Sequence, residues 1–89
     1  MPRVVFTANL QRHVEAPPSE VAGRAVRSAL ETVFASNPRL RSYVLDDQGR
    51  VRHHVVVFVG EQRIRDPVTL SDPVCESDEI FVMQALSGG

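Results

Sequence analysis

The sequence predicts an α+β domain: a mixed sheet of four to five strands with one helix packed across one face. Three observations carry this expectation. Strand-forming runs stand near both ends of the chain, at Arg3 to Asn9 and at Glu79 to Met83. One long amphipathic stretch, Glu20 to Ser36, follows the first β-rich segment. Between that stretch and the last run, Gly, Asp and Pro divide the chain into short β-rich pieces. The whole chain has 89 residues, enough for one small domain that buries roughly 60–65% of its unfolded surface.

Each element has a local reason. In RVVFTAN, Val4, Phe6 and Ala8 fall on one face of a strand, and Val5 and Thr7 on the other. Arg12 to Ala16 reads as a short return strand, which Pro17-Pro18 ends because proline has no amide hydrogen to donate. Ser19 suits an N-cap for a helix over 20–36. Ala22, Val26, Ala29 and Val33 form its apolar stripe, flanked by Leu30 and Ala25, and the small alanines let it lie close to a sheet. Glu20, Arg24, Arg27 and Glu31 occupy the other side as two i,i+4 pairs, each worth a few tenths of a kcal/mol. Asn37-Pro38 closes the helix, since the residue before proline avoids the α region. Leu40 to Leu45 and Val51 to Val59 flank the turn signal Asp46-Asp47-Gln48-Gly49 as an expected hairpin. The unbroken apolar run Val55 to Val59 suggests a strand covered on both faces for part of its length. Gly60-Glu61 turns the chain into a short edge strand, Gln62 to Arg65, and Glu79 to Met83 is the last strand. The order is β-β-α-β-β-β, in which the first and last strands can pair at the sheet centre.

Composition narrows the function. Ten basic residues face eleven acidic ones, a net charge of -1, so no overall field points to nucleic acid or an anionic membrane. All ten basic residues are arginine, and lysine is absent. The one cysteine, Cys75, excludes an intrachain disulfide and fits a reducing compartment. With no apolar stretch near ~18 residues and no signal-peptide pattern, the expectation is a cytoplasmic module. No Gly-rich phosphate loop, nucleophile elbow or pair of catalytic carboxylates is present. Cys75 sits among Asp72, Glu76, Asp78 and Glu79, a setting that disfavours a reactive thiolate. His53-His54 and His13 invite a metal hypothesis, but neighbours on a strand point to opposite faces, which argues against a compact site. The chain is therefore expected to hold no metal and no cofactor and to be no enzyme by itself.

The domain is expected to span 1–83, leaving 84–89 (QALSGG) as a flexible tail. Six extended residues at ~3.3–3.6 Å each reach roughly 20 Å. A double glycine lacks Cβ atoms and passes through a narrow channel, so the tail suits delivery of its carboxylate into another protein's active site.

This order, ending in Gly-Gly, resembles the ubiquitin-like β-grasp sulfur carriers. That family includes the molybdopterin-synthase small subunit, the thiamine-biosynthesis sulfur carrier and the carrier of thiocarboxylate-dependent cysteine synthesis. The resemblance covers nearly the whole chain. It is most specific in RVRHHVVVFVGEQRIR (Val51 to Arg65, with Arg50 before it), ESDEI (Glu76 to Ile80) and LSGG (Leu86 to Gly89). The chain departs from the family pattern at three places: Gly60 lacks the preceding asparagine, Ser77 replaces a glycine, and Gln84-Ala85 replace prolines.

What the resemblance implies is a carrier mechanism. An ATP-using, ubiquitin-activating-like enzyme adenylates the carboxylate of Gly89, with Gly88 beside it. Sulfur transfer then leaves a thiocarboxylate for a sulfur-accepting synthase, the molybdopterin type in particular. Catalytic groups lie on the partners, and ATP is used by the activating enzyme rather than bound here. The family docks through a sheet face beside the tail, which assigns Met83, Thr7, Arg63 and Leu86 to partner binding. Those residues imply a mixed, less apolar docking surface. Two alternatives stay open: a ubiquitin-like modifier joined through Gly89 to target lysines, and a β-grasp binding module whose Gly-Gly is incidental.

Overall fold

The computed structural model describes residues 1–7 and 18–84. Strand β1 (Arg3–Phe6) is followed by β2 (Ser19–Glu20), helix α1 (Val26–Ser36), helix α2 (Pro38–Val44), and strands β3 (Val55–Val59), β4 (Gln62–Arg63) and β5 (Glu79–Gln84). The five strands form one sheet in the order β2-β1-β5-β3-β4. β1 and β5 run parallel, with Val4 opposite Ile80 and Phe6 opposite Val82, while the other pairs are antiparallel. The expected mixed sheet is thus observed, with the last strand at its centre and the first beside it.

The inward residues of the central strands are Val4, Phe6, Val55, Val57, Ile80 and Val82, all buried. They join Val26, Ala29, Leu30, Val33 and Phe34 of α1 and Leu40 and Val44 of α2 in one core. Ala29 is fully buried, so a small side chain does stand where helix meets sheet. No polar or charged side chain is buried among the described residues. Each buried aliphatic side chain contributes about 1.5–3 kcal/mol relative to exposure, before the entropy of ordering it.

The start of the helix differs from expectation. Ser19 and Glu20 are strand, pairing with Val4 and Arg3, and the Val21 N–H donates to the Pro2 carbonyl (2.9 Å). The helix begins at Val26, six residues later than expected, and Ala22 of the anticipated stripe is exposed. Long-range hydrogen bonds explain the delay. Ala25 makes an antiparallel bridge to Pro73, and the Val26 and Arg27 N–H groups donate to the carbonyls of Asp72 and Leu70 (both 2.9 Å). Donors that a helix start leaves without intrahelical partners are thereby satisfied from a distant loop. The Ser28 hydroxyl accepts the Ala25 N–H (3.2 Å) and closes this turn in place of an N-cap side chain. The two expected ion pairs do not form: Glu20 is in a strand, and Glu31 pairs with Arg41 of α2. The return strand expected at Arg12 to Ala16 lies outside the described residues.

A second correction concerns Leu40 to Leu45, expected as a strand and observed within α2 and its C-cap. Asn37 ends α1 as expected, with φ -145 and ψ 75. Pro38 then occupies the first turn of α2, where its fixed φ is helical and its missing N–H costs nothing. Leu40, Tyr43 and Val44 stand at i, i+3 and i+4, which is helical spacing. The turn at Asp46 to Gly49 does form: Gly49 has φ 78 and its N–H donates to the Asp46 carbonyl (3.0 Å). It joins a helix to the approach of β3, and the expected hairpin is reduced to a single bridge, Leu45 to Val51.

Candidate functional site

Gly88, Gly89 and Leu86 lie outside the described residues. The structure does fix where their segment departs. β5 is described to Gln84, which pairs with Val55 at the start of β3. On the other flank Thr7, one residue beyond β1, donates its N–H to the Val82 carbonyl (3.1 Å) and so stands level with Met83. β5 therefore ends in the middle of the sheet, between β1 and β3.

Side chains alternate across a strand, so the register defines the face turned away from both helices. One row across it reads Val5, Phe81, Phe58 and Arg63, each opposite the next. In the next row Met83 stands opposite Val56, with Thr7 at its margin. Arg3 and Glu79 form a charged row at the far end. Met83, Thr7 and Arg63 thus share one face, as expected. Arg63 is not the cross-strand neighbour of Met83, because its partner is Phe58, one row away.

The face is also more apolar than expected. Val5, Val56, Phe58, Phe81 and Met83 are all half-buried, with Thr7 and Arg63 as polar edges. Sequence reasoning passed over four of these because they alternate with core residues inside short β-rich runs. Their signal is the lack of alternation in VVVFV: Val55 and Val57 face the core, while Val56 and Phe58 face outward. The run was expected to be covered on both faces for part of its length, yet the described helices pack on one only. A contiguous half-buried apolar patch on an open sheet face is the usual physical basis of protein docking.

The other candidates resolve differently. Cys75 is exposed, and its backbone N–H donates to Asp78 Oδ2 (2.7 Å), closing the turn that leads into β5. His53 and His54 lie in a turn before β3, not on a strand, so strand alternation does not separate them. Their rings meet edge to face with centroids 5.6 Å apart. Among the described residues no three His, Cys, Asp or Glu side chains gather as a metal site. His13 lies outside those residues.

Asp66 is held ionised by its loop. The Ser71 hydroxyl (2.6 Å), the Thr69 hydroxyl and the Thr69 N–H (2.9 Å) all donate to its carboxylate, which holds its pKa well below the ordinary range. Asp46 is shifted the same way, first by the Arg50 N–H (3.0 Å). Both carboxylates brace their own loops through these hydrogen bonds.

Solved structures share this architecture. A small archaeal modifier protein, SAMP1 from Haloferax volcanii, is 23% identical over 99% of this chain and 98% of that chain, with a TM-score of 0.77. A chain of the Amycolatopsis orientalis BexX/CysO complex is 18% identical over 100% of both chains, with a TM-score of 0.82. The fold is the ubiquitin-like β-grasp. CysO of Mycobacterium tuberculosis supports the same conclusion, at 15% identity over 97% of this chain and 100% of that one, with a TM-score of 0.81. At these identities the likeness establishes the β-grasp and not a shared activity. No protein-family model matches the chain, and no curated protein does. None of these structures singles out the molybdopterin-synthase subunit within the β-grasp carriers. Among the described residues, no helix is long and apolar enough to cross a membrane.

Proposed function

We propose that this chain is a ubiquitin-like modifier, activated at the carboxylate of Gly89 by an ATP-dependent adenylating enzyme and joined to lysines of other proteins. The observation that carries the reading is a β-grasp whose central strand leads directly into the Gly-Gly segment, beside an open apolar face. The likeness to a protein named as a modifier, over nearly the full length of both chains, supports it.

The chemistry follows from the weakness of a carboxylate as an electrophile. A Gly89 carboxylate oxygen attacks the α-phosphorus of ATP, and the bond to pyrophosphate breaks. The resulting acyl-adenylate carries a good leaving group. Attack by a lysine amine then expels AMP, and the amine loses a proton to give an isopeptide bond. This chain supplies position and docking, with Val5, Val56, Phe58, Phe81 and Met83 as the contact face, Thr7 and Arg63 at its margins, and Leu86 of the tail as a further proposed contact. Gly88 and Gly89 act through their lack of side chains. The acid–base groups belong to the partner.

A sulfur carrier is the second reading, supported by the likeness to CysO and to the BexX/CysO chain. The absence of lysine also fits it, because no side chain here can accept a further copy by an isopeptide bond. Activation is shared; a sulfur nucleophile replaces the amine and leaves a thiocarboxylate, which a synthase such as the molybdopterin type consumes.

Co-expression with an adenylating enzyme from the same genome separates these outcomes. Conjugation yields lysine-branched peptides. Trypsin leaves residues 66–89 on the target, because Arg65 is the last basic residue. The sulfur route yields intact protein with one oxygen replaced by sulfur. Deleting Gly89 abolishes either product. An unaltered mass with every such enzyme, and no branched peptide, overturns both readings.

A further inference from the structure

The ten arginines are spread over a chain of net charge -1, yet two of them converge with two histidines beside the exit of the tail. Arg50, Arg52, His53 and His54 line a surface cleft of about 470 Å³, together with Asp46 and Val68. The cleft lies at the approach to β3, whose first residue, Val55, pairs with Gln84 at the end of β5.

Its charges are cancelled only in part: Asp46 pairs with Arg50, while Arg52 has no carboxylate partner among the described residues. Asp46 is the one carboxylate in the lining, and its oxygens accept the Gln48 N–H (2.9 Å), the Arg50 N–H (3.0 Å) and Arg50 Nε (3.1 Å). Arg52 is held differently, by Nε donating to the neutral Ser42 carbonyl (2.8 Å), which fixes the guanidinium without neutralising it. The ion pairs among the described residues are Arg41–Glu31 and Arg50–Asp46, and neither involves Arg52. Val68 on the cleft wall is 53% exposed, and only Met1 is a more exposed large apolar residue among those described.

We propose that this cleft binds an acidic segment, a carboxylate on Arg52 beside an apolar side chain on Val68, of the protein that receives the C-terminal tail. The identity of that protein as the tail's recipient rests on the reading of Gly89 above. Arginine's planar fork matches a carboxylate, and Arg52 is already oriented for one. Val68 gives an apolar side chain its contact. A nucleic acid fits less well, since the lining has no Phe, Tyr or Trp for base stacking.

The test titrates the ¹⁵N-labelled full chain with an acetylated EELEE peptide, with inorganic phosphate and a deoxythymidine decamer as parallel arms. The peptide is expected to shift the amides of residues 50–54 and 68 saturably. Charge reversal by R52E weakens it about tenfold, and so does raising salt from about 0.1 M to about 1 M, where the screening length falls from ~10 Å to ~3 Å. V68E, on an exposed side chain, keeps the spectrum dispersed and weakens binding similarly, which covers the case in which R52E disturbs the Ser42 contact. Shifts scattered elsewhere, none at all, or insensitivity to both variants overturn the proposal. Equal shifts from phosphate alone make this a small-anion site, and tighter binding of the decamer makes it a nucleic-acid site; both overturn it too. No ATP or activating enzyme is present, so this result stands apart from the outcome for Gly89.

Discussion

Arg27 shows how one side chain joins three parts of the chain that are far apart in sequence. From the first turn of α1, its Nε donates to the Thr69 carbonyl (2.8 Å) and a terminal nitrogen donates to the Gly49 carbonyl (2.6 Å). The helix, the 46–49 turn and the 66–72 loop are pinned at one point. Gly49 takes φ 78 there, which favours glycine, and a Cβ would stand 3.5 Å from the guanidinium. Hydrogen bonds from a charged donor are worth about 1.5–3 kcal/mol each, less where solvent competes. R27A is therefore expected to lower stability by about 2 kcal/mol in denaturant unfolding. R27K should recover only part, since an ammonium lacks the fork that spans both carbonyls. Asp66 gives a residue-scale pH dependence. Its folded pKa is depressed, so its contribution is fully present above the ordinary carboxylate value. That contribution is lost as pH falls below about 4 toward the folded value. Unfolding midpoints compared at neutral and acid pH should show a shallower acid-side loss in D66N, from a lower neutral starting point.

At the scale of elements, α2 is the piece that sequence patterning misread, and its packing offers a direct check. Leu40 is fully buried, and truncation leaves a void that neighbours fill only in part. L40A is expected to cost about 2–5 kcal/mol by denaturant unfolding, whereas S42A on the exposed side of the helix should change little. The strands β1, β3 and β5 were legible because their apolar runs are bounded by turn residues. The end of α1 was legible because Asn37-Pro38 allows little else. Its beginning was not, since the partners that delay it are carbonyls at Leu70 and Asp72, more than forty residues away. Pro38 misled for a related reason: a proline that ends one helix also suits the first turn of the next. The outer row Val5, Phe81 and Phe58 could not be drawn without knowing which strands are neighbours and in what register.

On the whole-molecule scale, the sheet separates two tasks. Its inner face spends its apolar side chains on the core, with Phe6, Val82 and Val57 aligned beneath the helices. Its outer face keeps a second apolar set half-open around the strand that leads to the tail. Stability and docking therefore depend on alternate residues of the same strands, and substitutions should separate the two. Met83 is the residue for this test, because it is half-buried, faces outward and stands one position before Gln84. M83D places a charge on the docking face without opening a void in the core. Its unfolding midpoint should stay within about 1 kcal/mol of the parent's. With an adenylating partner, ATP–pyrophosphate exchange should show kcat/KM lower by about tenfold or more, mostly through KM, as expected when a central apolar contact is lost. The neighbouring core substitution V82A should behave in the opposite way, losing stability while the folded fraction exchanges normally. If M83D unfolds the domain, or exchanges at the parental rate, the outer face is structural surface and the partner docks elsewhere.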